Sequence, residues 1–210
     1  MKLYHDPVTV NCRKVLAGFE LMGTKYEPVK VDYFAGAHKG PEYTAINPNQ
    51  QLPALVDGDF TVWESNAILQ YAADKDGKAA FYPQDLRTRT DVNRWLLWES
   101  NQWFPSCYTW LVENVVKPIL GAPPDKAVLD AAEAKFHQLA NILDERLAKQ
   151  PWLCGQNVTI ADIAVAAPMH LHKYQKLPLV PHPHVRAWME RVEALPCWKK
   201  TDPVPLLGLQ

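Results

Sequence analysis

Up to Lys78 the chain alternates strand-like with helix-like runs, and from Arg87 onward it carries helical periodicity alone. Few folds accommodate that change of pattern. Lys2 to His5 is a short β-like run, which Pro7 breaks. Cys12, Val15, Leu16, Phe19 and Met22 then fall at helical spacing, with Gly23 as a stop. Residues 26–31 alternate like a strand, and a helical turn is expected over residues 41–45. Residues 52–56, then Asp57-Gly58, then residues 60–63 form a hairpin pattern, because Asp-Gly accepts the positive φ of a tight turn. Ser65 is placed to cap a helix running through Ala67, Ile68, Tyr71 and Ala72. The order β-α-β-α-β-β-α predicts a mixed sheet with helices on its faces.

The expected organisation is an α/β domain over residues 1–78, a linker over residues 79–86 containing Pro83, and an all-helical domain over residues 87–210. In the second part Leu129, Ala132, Phe136, Leu139, Leu143 and Leu147 make an apolar stripe of alternating three- and four-residue steps. Thr159 and Asp162 have capping-box spacing, with Asp in place of the usual Glu. Val185, Trp188, Met189 and Val192 make a further amphipathic turn.

Composition narrows the function classes. Lys plus Arg number 22 against 23 Asp plus Glu, so no basic surplus exists to drive binding to nucleic acid or anionic lipid. The opening residues hold no apolar leader, and the richest apolar stretch, residues 160–169, contains Asp162 and is too short to span a bilayer. The expectation is a cytoplasmic protein. Cysteines 12, 107, 154 and 197 form neither a redox pair nor, with histidine, a zinc pattern, so reduced thiols and no metal are expected.

Asn47-Pro48-Asn49-Gln50-Gln51-Leu52-Pro53-Ala54-Leu55, Asp57-Gly58 and Trp63-Glu64-Ser65-Asn66-Ala67-Ile68 closely resemble the N-terminal domain of cytosolic glutathione transferases. Thr159-Ile160-Ala161-Asp162 resembles that family's helical-domain signature, and Pro183-His184-Val185 with Trp188 its C-terminal helix. The resemblance implies a thioredoxin-like N-terminal domain followed by an all-α domain. It implies glutathione as co-substrate, a small hydrophobic electrophile as second substrate, and a homodimer. Pro53 would be cis, turning the backbone of Leu52 toward the cysteinyl backbone of glutathione. Ser65 would hold the γ-glutamyl carboxylate at a helix N-terminus, where N–H groups and positive potential attract anions. Glu64 would hold the amine, Gln51 would reach the same arm, and His38 with Lys39 would meet the glycyl carboxylate.

The chemistry that the resemblance implies is thiol activation. The thiolate is the nucleophile, and a donor aimed at the sulfur favours it. Aligned from Pro7, Thr9 falls where serine-type members carry their serine, and Asn11 where some bacterial members carry an amide donor. Thr9 and Asn11 are therefore the expected catalytic pair, and they point to a bacterial type of unassigned subclass. Tyr4 and Cys12 compete for the role. Cys12 as nucleophile would make the protein a thiol reductase, although its place on the apolar stripe reads as core; a glutathione-dependent disulfide reductase or peroxidase on the same fold, with or without Cys12, is a further alternative. A fold retained for ligand binding alone is a third possibility. Seven of the eight tryptophans lie beyond residue 90, and Trp95 reads as helix-bundle core. Trp103, Ser106, Tyr108 and Trp110, near the helix-breaking Pro105, are the expected lining for the electrophile.

Overall fold

A computed structural model describes residues 1–209. Its contacts divide the chain into two units, one built from Met1–Pro83 together with the segment from Pro196 onward, the other from Gln84–Leu195. The C-terminal segment thus returns to the first unit, an arrangement that the division at residues 79–86 did not anticipate.

In the first unit β1 (Lys2–His5) is central in a sheet of order β2-β1-β3-β4. It pairs parallel with β2 (Glu27–Lys30) and antiparallel with β3 (Ala54–Asp57), which turns through Gly58 into β4 (Phe60–Trp63). Gly58 has φ 64°, the conformation that the Asp-Gly turn was expected to need. Helix α1 (Val10–Met22) links β1 to β2, and Gly23 ends it at φ 67°. A short 3-10 turn (Ala37–Lys39) and α2 (Pro41–Thr44) precede β3, and α3 (Ser65–Lys75) follows β4.

Helices α1 and α3 pack directly on each other. A Cβ at Gly18 would stand 2.3 Å from Leu69 Cδ2, so the close approach depends on the missing side chain there. Leu3, Val15, Phe19, Leu55, Ile68 and Leu69 are fully enclosed between sheet and helices.

The second unit begins with α4 (Leu86–Trp98), whose N-cap Asp85 accepts from the Thr88 N–H. It continues through α5 (Phe104–Leu111) and α6 (Lys117–Ile119). Between them lie two π turns, Glu99–Trp103 and Val112–Val116. Each stops two residues before a proline, Pro105 and Pro118, whose ring nitrogen cannot donate to the carbonyl four residues back. Helix α7 (Lys126–Leu147) buries Phe136, Leu139, Leu143 and Leu147 of the expected stripe. Helices α8 (Ile160–Ala166), α9 (His172–Gln175) and α10 (Pro183–Ala194) complete the unit. The carboxylate of Asp162 is fully buried and accepts from Thr159 N, Thr159 Oγ1, Leu153 N and Trp188 Nε1 at 2.8–3.1 Å. Asp therefore closes the capping box and also ties α8 to α10. Two further short helices, α11 (Pro196–Lys200) and α12 (Val204–Leu207), belong to the first unit. Among the described residues no helix is long and apolar enough to cross a membrane.

Candidate functional site

The N-termini of α1 and α3 stand side by side. Ser65 Oγ donates to Asn11 Oδ1 at 3.3 Å. Neither helix has an acidic residue in its first turn, so both present unneutralised N–H groups and the positive end of the helix dipole at one place. Two helix N-termini brought together in this way can receive an anion.

Thr9 is the N-cap of α1, in an extended conformation with its side chain half-buried. Its hydroxyl donates to the Asp6 carbonyl at 3.1 Å, and its own carbonyl accepts the first helical bond, from Arg13 N–H at 2.9 Å. Asn11 lies in the first turn, half-buried. With Oδ1 taken by Ser65, its amide NH2 has no partner among the described residues. Asp6, which sequence reasoning overlooked, shapes this loop by accepting from Tyr33 N at 2.9 Å and Val8 N at 3.3 Å.

Cys12 is the core residue that its place on the stripe suggested. It is fully buried, and its sulfur accepts from Asp6 N–H at 3.4 Å. Burial pushes its thiol up to about 12, against a smaller opposing effect of the neighbouring Thr9 hydroxyl. A thiol enclosed in the core and held protonated is poorly placed to act as a nucleophile at neutral pH. Tyr4 is half-buried in the central strand, its ring 6.3 Å from that of Tyr43.

The loop entering β3 is held from behind. Tyr43 Oη and Asn47 Nδ2 both donate to the Gln51 carbonyl, at 2.6 and 2.7 Å. The Leu52–Pro53 peptide is cis, as the resemblance implied. Neither the N–H nor the C=O of Leu52 has a backbone partner among the described residues, so both are available to an extended peptide in the manner of an added strand. The side chain of Leu52 is buried, and that of Gln51 is exposed. Tyr43 and Asn47 carried no signal of their own beyond the Asn-Pro turn.

Ser65 was expected to cap α3, but the structure places it inside the first turn with Glu64 as N-cap. Glu64 takes φ 74° and ψ 112°, a region that costs a non-glycine residue about 1–3 kcal/mol. Its side chain is exposed. The hydroxyl of Ser65 makes no cap bond and turns to Asn11 instead. His38 is buried and stacked on Tyr33, with centroids 4.6 Å apart and planes 14° from parallel. Its enclosed Nδ1 has no partner among the described residues, and burial, helped by the Lys39 charge, lowers its pKa. Lys39 is exposed.

In the second unit Trp103 is wholly enclosed. Its indole N–H donates to the Val165 carbonyl at 3.0 Å, and its ring lies 5.6 Å from Trp98 and 5.2 Å from Phe136. Trp110 is buried beside Phe136 at 6.0 Å. These two indoles fill the bundle interior. The Ser106 hydroxyl is enclosed, whereas Tyr108 is 39% exposed and stacked on Phe104 at 5.3 Å. Trp95 is buried, as expected.

Comparison with known proteins bears directly on this geometry. Residues 1–74 match the model of the glutathione S-transferase N-terminal domain, and residues 108–196 that of the C-terminal domain. The chain is 34% identical over 208 residues to a probable glutathione S-transferase, GSTF2, of Oryza sativa subsp. japonica, covering 95% of this chain and 94% of the relative. It is 33% identical to glutathione S-transferase 3 of Zea mays, covering 96% and 92%. Among solved structures it resembles glutathione transferase F7 of Populus trichocarpa with a TM-score of 0.85, 30% identity and coverage of 95% and 96%. It also resembles a glutathione S-transferase-I bound with lactoylglutathione, with a TM-score of 0.86, 29% identity and coverage of 97% and 98%. The named relatives are plant phi-class proteins, so the bacterial type suggested by Thr9 with Asn11 is not supported. On both its domains and almost its entire length, the chain belongs to the glutathione S-transferase family.

Proposed function

We propose that Thr9 and Asn11 together hold the sulfur of glutathione as thiolate, and that the tripeptide lies along Gln51, Leu52, Pro53, Glu64 and Ser65. The chain is a glutathione transferase, with glutathione as co-substrate. The single observation that carries the residue assignment is the Ser65–Asn11 hydrogen bond, which joins a carboxylate-receiving helix end to a thiol-facing one.

The γ-glutamyl carboxylate takes the Ser65 hydroxyl and the unpaired N–H groups at the start of α3. The exposed carboxylate of Glu64 meets the amine. The cysteinyl backbone pairs with the N–H and C=O of Leu52, and the glycyl carboxylate meets His38 and Lys39. The thiol then lies at the first turn of α1. There Thr9 rotates its hydroxyl hydrogen from the Asp6 carbonyl to the sulfur, since a charged acceptor outcompetes a neutral one. Asn11 adds its free amide NH2. Both donors and the helix dipole favour the thiolate, which attacks a small hydrophobic electrophile. Among the four expected electrophile-binding residues, Tyr108 is the exposed one, with Ser106 two residues before it on the same helix; Trp103 and Trp110 support the helix that carries them. The working form is a cytoplasmic homodimer.

Conjugation of glutathione to an activated aryl halide tests the assignment. Hydrogen bonds to charged groups are worth about 1.5–3 kcal/mol, so Thr9→Ala is expected to lower kcat by roughly 10- to 100-fold. Full activity in the Thr9→Ala, Asn11→Ala double variant would contradict it.

A further inference from the structure

We infer that Trp198 is a positioning residue for thiol activation, acting through Arg13 on the first turn of α1. The inference rests on the thiol-activation reading above. Arg13 is only 2% exposed, a rare setting for a guanidinium. Its Nη2 donates to the Trp198 carbonyl at 3.2 Å, and its Cζ sits 4.2 Å from the centroid of the Trp198 ring. One residue 185 positions away therefore supplies both a hydrogen-bond acceptor and an aromatic face to the same buried cation. Trp198 is itself buried, and α11 packs along α1, where Lys200 also pairs with Glu20 at 2.9 Å.

The anchored residue is adjacent to the chemistry. The backbone N–H of Arg13 makes the first hydrogen bond of α1, to the carbonyl of Thr9. The chain of contacts from Trp198 to the proposed thiol donor thus contains one side chain and one backbone bond. Fixing the guanidinium fixes the turn in which Thr9 and Asn11 stand, and a donor displaced by an ångström loses most of its effect on a developing charge.

The test is the ultraviolet thiolate absorbance of glutathione bound to the full chain, followed against pH, in wild type, Trp198→Leu, Trp198→Phe and Arg13→Lys. Trp198→Leu keeps an apolar side chain, though a smaller one, and removes the aromatic face. Arg13→Lys keeps the charge and removes the planar fork. Both are expected to raise the thiol pKa by about one unit, which leaves up to about tenfold less thiolate at neutral pH. Their kcat falls in parallel and recovers at alkaline pH, while KM for glutathione stays near the wild-type value. Trp198→Phe, with a ring restored beneath the guanidinium, returns the pKa toward wild type. A bound thiol that titrates in Trp198→Leu as it does in wild type overturns the inference, whatever the change in Tm. If that variant does not fold, Arg13→Lys supplies the same readout. An unshifted thiol in the wild-type chain overturns the thiol-activation reading itself, so the wild-type curve separates the two failures.

Discussion

The Ser65 hydroxyl donates to Asn11 Oδ1 across 3.3 Å, joining residues 54 positions apart at the facing N-termini of two helices. One end of that bond is the proposed carboxylate donor and the other the proposed thiol donor. When a carboxylate takes the Ser65 hydroxyl, the Asn11 amide is released to reorient. On the proposed assignment, one hydrogen-bonded pair meets both the γ-glutamyl carboxylate and the cysteinyl thiol of glutathione.

Ser65→Ala is expected to raise KM for glutathione by roughly 10- to 100-fold, the loss of one hydrogen bond to a charged group. Because the two residues share a bond, the double variant with Asn11→Ala should lose less than the product of the single losses. Steady-state kinetics on the four proteins of the cycle measure this directly. Strictly multiplicative losses would mean that the 3.3 Å contact carries no coupling.

Cys12→Ala should leave the thiol pKa of bound glutathione and kcat close to wild type. Its effect belongs to stability, about 1–3 kcal/mol, because the Asp6 N–H loses its acceptor in a buried place. In the intact protein Cys12, with its thiol pushed up to about 12, should resist alkylation at pH 8. Mass spectrometry after brief treatment with iodoacetamide checks this. Rapid labelling of Cys12 in the folded protein would restore it as a nucleophile.

Asp162→Ala leaves Trp188 Nε1, Leu153 N–H and the Thr159 donors without an acceptor. Each orphaned buried donor costs about 1–3 kcal/mol, so a loss of at least about 3 kcal/mol is expected in denaturant unfolding. The pH dependence has a definite sign. Burial raises the Asp162 carboxyl despite four donated bonds, so the folded state holds this proton more tightly than the unfolded chain. This group's contribution is greatest below the unfolded-state pKa and is lost as pH rises through the folded value.

His38 is lowered by burial, so it is neutral at pH 7 before a ligand arrives. A glycyl carboxylate beside it favours the imidazolium, and binding should take up a proton. Affinity for glutathione should therefore strengthen as pH falls toward 6 in wild type and change less in His38→Ala. Calorimetry in two buffers of different ionisation enthalpy counts the protons. No uptake would place the carboxylate on Lys39 alone.

Much of the first unit was legible because its signals are local. The Asp57-Gly58 turn, the Gly23 stop and the apolar run of β3 act over a few residues each, and the chain adopts them as read. Ser65 was expected at the cap position, and the structure puts it one residue further in. A non-glycine residue at φ 74° leaves no mark in the sequence, and Glu64 occupies the cap position in that conformation. The π turns had a readable cause in Pro105 and Pro118, whose offsets are identical, but only the break at Pro105 was inferred. Arg13 and Lys14 were invisible as core residues, since both are charged and both are 2% exposed. The return of Trp198 to α1 depends on contacts 185 residues apart, which no local pattern carries.

The central claim is that Thr9 and Asn11 lower the thiol pKa of bound glutathione, and its most direct test is thiolate absorbance of the bound tripeptide against pH in wild type, Thr9→Ala and Asn11→Ala. The account predicts a wild-type thiol pKa clearly below that of free glutathione, moved back toward the free value by each substitution. Binding with an unshifted pKa, or a shift that survives both substitutions together, would contradict it.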